Sequence, residues 1–401
     1  MRRIYLIILT VALASLCSCA QKSADPVLTV VVSLDGCRWD YADMYGAPGL
    51  DAISAEGVKA VMKPSYPAST FPNHYAIATG LVPDHHGIVN NKFWDPRTQA
   101  RYAMGDIPTR SNPAYYGGEP IWVTAEKQGV RTASIYWVGT DIPICGTYPS
   151  YWHDWYEEPQ LSYPERVQEA IRLASLPARK RPRLIMVYFD DPDHAGHVYG
   201  PMADETRDMF REMDALMGEL YKGLKALRYG DRINLIVTSD HGMASISPER
   251  FICVDDYIKE EWYDHMITGT PTSIFSKPGC QEDILKALEG VEHISVWRKE
   301  EVPEHLNYGT SERLGDIIVA PDLGWLFDHK VRKGGGAHGY DPEEPDMQVI
   351  FRATGPSFKK GFVMEDKFVN VDIYGMLCGI LGIEPAPTDG KPERIAPILA
   401  E

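Results

Sequence analysis

The sequence predicts an α/β fold: a mostly parallel central sheet with helices on both faces and a small inserted subdomain. Short apolar runs rich in β-branched residues recur at Leu28–Val32, Thr132–Tyr136, Leu184–Tyr188 and Ile233–Val237. Each is bounded by polar or turn residues, as buried strands are. Helical patterns lie between them at Glu165–Ala174 and Asp204–Leu227. The second carries Met209, Phe210, Met213, Leu216, Met217 and Leu220 on one face. Strands alternating with helices pack as a parallel sheet covered on both sides. The 401 residues are 44% hydrophobic and 10% aromatic, enough for a large core and unlike a disordered chain.

The first 24 residues stand apart. Met1-Arg2-Arg3 is a charged start, and residues 4–16 form an apolar run of signal-peptide length, too short for a lasting membrane span. It ends in Leu16-Cys17-Ser18-Cys19, which resembles a bacterial lipobox with cleavage before Cys19. The expectation is an exported protein, periplasmic or held at the outer membrane of a bacterium by a lipid on Cys19, with no other membrane contact. Residues 25–401 read as one domain, with an inserted subdomain at about 255–335, where turns and charge are denser. The five cysteines that follow, Cys37, Cys145, Cys253, Cys280 and Cys378, are scattered without a CxxC pair, against a thiolate zinc site. Their pairing cannot be read from spacing. A net charge of -16 argues against a stable nucleic-acid complex, but not against a phosphate ester where metal ions supply the positive charge.

In open α/β sheets, sites form at the carboxyl ends of the strands. Asp35 follows the first predicted strand. The stretch Asp190-Asp191-Pro192-Asp193-His194-Ala195-Gly196-His197 follows the third. Asp240 and His241 follow the fourth. Each loop alone could be an ordinary solvated turn, or in the last case a capping aspartate. Three loops carrying only metal-type ligands point to one crevice that holds a cation. Within the third loop, i,i+4 spacing suits both Asp193 with His197 and Asp190 with His194, so spacing leaves a tie. Glycines 334, 335, 336 and 339 surround His338 and favour a ligand on a close-packed loop over a buried structural histidine.

Read together, these segments resemble the nucleotide pyrophosphatase/phosphodiesterase family of the alkaline phosphatase superfamily. The likeness covers nearly all of the chain after residue 25. It rests on Val31 to Tyr41 (VVSLDGCRWDY), Thr70 to Asn91 (TFPNHYAIATGLVPDHHGIVNN), Asp193 to Pro201, Ser239 to Met243 (SDHGM), Gly334 to Gly361 and Cys378 to Gly390. The resemblance implies an alkaline-phosphatase-like fold. It also breaks the tie, because the family motif places proline-aspartate four residues before a histidine, then Gly-Pro: Asp193, His197 and Gly200-Pro201. Two zinc ions are implied. Asp193, His197 and His338 would hold one; Asp35, Asp240, His241 and the Thr70 hydroxyl would hold the other. Mixed Asp and His donors suit zinc. The family loop has small residues where His194 stands.

The resemblance implies Thr70, rather than Ser69, as nucleophile, since the family's threonine directly precedes Phe-Pro-Asn. A hydroxyl needs a metal or a base to become nucleophilic. It implies that Asn91, not Asn90, donates to a non-bridging phosphate oxygen. His85 and His86 read as structural. The implied reaction is hydrolysis of a phosphodiester or pyrophosphate bond, probably the wrong bond type for a lone monoester since no arginine accompanies Thr70; a nucleoside monophosphate would be released through a phosphothreonine. Phe71, Tyr188 and Tyr151 or Trp152 are expected to flank a base, though aromatic residues more often pack in cores. Lysophospholipid or choline esters are the alternative substrates, and a phosphomonoesterase of the superfamily the alternative enzyme. No formylglycine-type CxPxR segment occurs, against a sulfatase. A periplasmic solute-binding lipoprotein is the non-enzyme alternative, and it has no need of a hydroxyl beside two Asp/His clusters.

Overall fold

A computed structural model describes residues 26–400. The leader and the lipobox with Cys19 lie outside the described residues. Five parallel strands lie side by side in the order Ile233–Thr238, Leu28–Leu34, Leu184–Phe189, Thr132–Ile135 and Tyr151–His153. The four apolar runs of the sequence are the first four of these. All residues of Leu28–Leu34, Leu184–Phe189 and Ile233–Thr238 are buried. Each fully buried aliphatic side chain contributes about 1.5–3 kcal/mol, and burial on both faces explains the unbroken apolar runs.

The sheet is mixed beyond this parallel block. Val349–Thr354 runs antiparallel between Ile233–Thr238 and Gly57–Lys63, and two short strands, Phe362–Val363 and Phe368–Val369, pair parallel with Gly57–Lys63. On one face Tyr163–Ser175 and Asp204–Lys225 pack over an apolar cluster that includes Val30, Val32, Val187, Phe210, Met213 and Leu220. The first of these helices starts with a capping box between Ser162 and Glu165. On the other face Thr70–Thr79, Ile121–Lys127 and Asp372–Leu381 cover a second cluster around Trp122, Tyr75 and Leu377.

Residues 263–321 contain a separate four-stranded antiparallel sheet with its own helix, Gln281–Leu288. It closes over a small core of Ile274, Ile284, Leu288, Ile317, Val319 and Phe327. This is the region expected to be an inserted unit. Among the described residues no helix is long and apolar enough to cross a membrane. The five described cysteines are free thiols.

His86 ties the loop that leads to Asn91 to the helix that starts at Thr70. It is fully buried; its Nε2–H donates to the Pro72 carbonyl at 3.1 Å, and its Nδ1 accepts from the Ile88 N–H at 3.2 Å. Burial lowers its pKa to about 3. The unfolded chain, with an ordinary histidine near 6.5, therefore binds a proton that the folded chain refuses between those limits. Stability from His86 is full above about pH 6.5 and is lost as pH falls toward 3. The urea midpoint of the wild type should drop more between pH 7 and pH 5 than that of His86→Gln; equal drops would remove this role.

Candidate active site

The parallel register brings the candidate residues together. Ser33 lies beside both Tyr188 and Thr238, and Leu34 beside Phe189, so the chain leaves all three central strands at one level. Asp35, the Asp190–Asp193 stretch and Asp240 with His241 follow directly. Asp193 and His197 lie one turn apart on the helix Asp193–Tyr199, with Asp193 Oδ2 3.4 Å from His197 Nε2. His338 Nε2 is 3.9 Å from Asp193 Oδ1. In the neighbouring group His241 Nε2 lies 3.3 Å from Asp35 Oδ1, 3.2 Å from Asp240 Oδ2 and 3.1 Å from the Thr70 hydroxyl. The His241 and His338 rings stack at 3.7 Å, so the two groups are adjacent. Donor atoms within each of the sets Asp193/His197/His338 and Asp35/Asp240/His241 are close enough to share one ion.

The hydrogen bonds around these histidines decide their tautomers. Nδ1 of His197 faces the Gly336 carbonyl at 2.9 Å, that of His241 the Gly242 carbonyl at 2.9 Å, and that of His338 the Ala68 carbonyl at 3.0 Å. A carbonyl only accepts, so each Nδ1 carries the proton and each Nε2 presents a lone pair. Burial keeps all three rings neutral: it lowers His197 to about 4, His338 well below the ordinary range, and His241 in the same direction. Asp35 Oδ1, Asp193 Oδ1 and Asp240 Oδ2 are buried without a hydrogen-bond donor. Burial, then repulsion from Asp240, pushes Asp35 and Asp193 well above the usual carboxylate range. For Asp240 burial acts upward too, but His241 and His74 outweigh it and hold the group low. Lone pairs and carboxylates facing one another without donors fit divalent cations, whose charge compensates what burial and repulsion otherwise penalise.

Other residues orient the donors. Tyr188 donates its hydroxyl to Asp35 Oδ2 at 2.6 Å, and Ser239 donates to Asp240 Oδ1 at 3.2 Å. Asp190 pairs with Arg166 at 2.9 Å, and Asp191 accepts from Tyr163 at 2.7 Å. His194 points to solvent. These three do not join either group. Two glycines allow the close approach of loops. Gly36 has φ +66°, and a Cβ there would lie 2.8 Å from the Asp193 Cα; Gly335 has φ +97°, and a Cβ there would overlap the His197 carbonyl oxygen.

Thr70 is the first residue of the helix Thr70–Thr79 and Ser69 its N-cap, but the Ser69 side chain makes no cap bond. The helix start offers fewer free donors than its position suggests. The Phe71 N–H is committed to Asn91 Oδ1 at 2.9 Å, and Pro72 has none. That bond fixes the Asn91 carboxamide, which leaves its NH2 to donate elsewhere. Asn90 Oδ1 accepts the Asn91 N–H at 2.8 Å and so shapes the turn. Ser69, Thr70, Asn91, Asp193, His197 and His338 line one cavity of about 290 Å3, joined by Lys92 and Arg332.

The expected aromatic walls are placed differently. Tyr188 is buried beneath the site, packed on His74 and Trp155, because its hydroxyl serves Asp35. Trp152 stacks on Tyr148 at the sheet edge, and Tyr151 bonds the Lys180 carbonyl. None of the three lines the cavity, and neither does the Phe71 side chain. From the same aromatic stretch, Tyr156 comes nearest to Phe71: the Arg110 guanidinium lies 4.8 Å from the Tyr156 ring and 5.9 Å from the Phe71 ring. Arg110, held by Asp141, was not singled out by the sequence, where an isolated arginine in a loop carries no signal.

The model of type I phosphodiesterases/nucleotide pyrophosphatases matches residues 29–341. The chain belongs to this family. It is 33% identical to human ectonucleotide pyrophosphatase/phosphodiesterase family member 1 over 380 residues, which is 90% of this chain and 40% of that protein. It is 32% identical to the venom phosphodiesterase CdcPDE of Crotalus durissus collilineatus over 377 residues, 90% of this chain and 45% of that one. The chain thus spans less than half the length of these relatives. Murine ectonucleotide pyrophosphatase/phosphodiesterase 5, solved as an inactive threonine-to-alanine variant in complex with AMP, superposes with a TM-score of 0.88 at 30% identity, over 94% of this chain and all of that one. The α/β architecture is therefore that of a nucleotide pyrophosphatase/phosphodiesterase.

Two outcomes test the geometry of this family member. Asp193→Ala and His197→Ala should lower the bound metal measured by elemental analysis. His194→Ala should not, and Asp190→Ala should keep its metal but lose about 1–3 kcal/mol in urea unfolding, because Arg166 loses its carboxylate. Gly335→Ala should lower both metal content and stability, since the loop bearing His338 can no longer lie against His197. Full metal content in Gly335→Ala would show that the close approach is dispensable.

Proposed function

We propose that the protein hydrolyses phosphodiester or pyrophosphate bonds of nucleotides through a covalent phosphothreonine on Thr70, with two zinc ions as its metals. The observation that carries this reading is the Thr70 hydroxyl, 3.1 Å from His241 Nε2 and at the edge of two adjacent Asp/His groups that lack donors of their own. Asp193, His197 and His338 would hold one ion, and Asp35, Asp240 and His241 with the Thr70 oxygen the other. Bound zinc supplies positive charge that favours a deprotonated hydroxyl and balances the charge of a phosphate.

The roles of the chain's own residues follow from position. The Thr70 oxygen attacks phosphorus in line; a new P–O bond to threonine forms as the bond to the leaving oxygen breaks. The Asn91 NH2 donates to a non-bridging oxygen, its carbonyl being held by the Phe71 N–H. Water then attacks the phosphothreonine from the side the leaving group vacated, and a monoester departs while the proton returns to the Thr70 oxygen. AMP in the murine neighbour supports a nucleotide as the substrate, and the inactivity of its threonine-to-alanine variant supports a threonine nucleophile. Lys92 and Arg332 line the cavity without an ion-pair partner among the described residues, which suits an anionic leaving group better than choline. The exported, lipid-anchored placement expected from residues 1–24 belongs to the same proposal.

Thr70→Ala should fold, keep most of its metal and lose nearly all hydrolysis of a nucleotide diester, while Thr70→Ser keeps part of it. Ser69→Ala should be mild, since Ser69 makes no cap bond. A chiral thio-substituted diester hydrolysed in isotopically labelled water should retain configuration at phosphorus, because two in-line displacements cancel. Inversion, or near-normal turnover in Thr70→Ala, would eliminate the covalent route.

A further inference from the structure

A second cavity, of about 180 Å3, shares the wall residue Thr270 with the catalytic cavity. It lies where the four-stranded antiparallel sheet meets the segment after His338. Its chemistry is the opposite of its neighbour's. Lys92 and Arg332 line the catalytic cavity, whereas no lysine or arginine lines the second. Tyr66, Trp297 and Tyr340 supply aromatic walls, and Asp322, Asp341 and Glu344 supply carboxylates.

These carboxylates are poorly compensated. Asp341 faces His305 at 3.0 Å and Asp322 faces His293 at 3.2 Å, both on exposed rings. Nearby acids already have cations: Asp346 has Arg38 at 2.9 Å and Glu343 has Lys63 at 2.7 Å. Glu344 has no ion pair among the described residues, and burial followed by Asp341, Asp346 and Asp322 raises its pKa. A second observation is independent of the acids. Tyr66 is 3% exposed, and its buried hydroxyl has no hydrogen-bond partner. The charged group that acts on it is Asp341, which lines the same cavity. A buried hydroxyl without a partner is costly, so this corner of the cavity favours a ligand with a polar group to offer.

We propose that this cavity binds a small organic ammonium ion, its charge over the faces of Trp297 and the tyrosines and balanced by Glu344, Asp341 and Asp322. A bare metal ion fits less well. Among the described residues, the groups whose donor atoms converge closely enough for one are the two of the catalytic cavity. The space is smaller than the roughly 300–1,000 Å3 of cavities for drug-sized ligands, which suits an ion of choline size and excludes a nucleotide.

The probe is choline, titrated into the full chain by calorimetry at constant ionic strength, with 3,3-dimethyl-1-butanol as its uncharged isostere. Choline should bind saturably and the isostere should not. Trp297→Leu and Glu344→Gln, both outside the catalytic machinery, should each weaken binding about ten-fold. Asp193→Ala should leave it unchanged, which separates this cavity from the catalytic one. Absence of saturable binding, equal binding of the isostere, unchanged affinity in both cavity variants, or loss of binding in Asp193→Ala would each overturn the proposal.

Discussion

A set of buried acceptors that face one another governs this protein. Asp35, Asp193 and Asp240 each bury a carboxylate oxygen that no donor reaches, and His197, His241 and His338 turn their Nε2 lone pairs toward them. Such a constellation is unfavourable by itself, since desolvation and mutual repulsion act in the same direction. It persists because each donor is anchored from behind, by a backbone carbonyl, a tyrosine hydroxyl or a serine. The strain of the empty arrangement is thereby converted into affinity for positive charge.

The sheet makes that anchoring possible. Three adjacent parallel strands end at one level, so three loops deliver their first residues to the same crevice. The strands are buried on both faces and cannot slip without exposing apolar side chains, which makes the crevice as rigid as the core beneath it. Glycines at 36 and 335 then let the loops approach more closely than any side chain would permit. The helix that begins at Thr70 enters from the opposite cluster of apolar residues, held by the buried His86 contact to Pro72. Nucleophile and donors thus come from two independently packed layers, which lets one be altered without dismantling the other.

Electrostatics divides the surface around this centre. A chain with net charge -16 places Lys92 and Arg332 at the catalytic cavity and none of its cations at the neighbouring one. The two cavities share only Thr270, so a short piece of chain separates a region suited to anions from a region suited to cations. The inserted antiparallel sheet forms walls of both.

The sequence by itself determined the architecture and the metal-type donors. Period and composition mark buried parallel strands because both faces are covered, and residues at strand ends must share a crevice in such a sheet. Within Asp190–His197, however, spacing left two pairs equal, and the family motif chose between them. Tertiary structure supplies the physical contrast: Arg166 and Tyr163 engage Asp190 and Asp191, while His194 turns to solvent. Only the tertiary structure decided the aromatic residues. Tyr188 went under the site because a buried carboxylate needed its hydroxyl, Trp152 went to the sheet edge, and Arg110 drew Tyr156 toward Phe71. The antiparallel strand Val349–Thr354 was equally invisible, since its pairing joins segments far apart in sequence. Local pattern encodes what a residue can do and whether it is buried. Which partner it meets depends on long-range packing, and no window of sequence contains that.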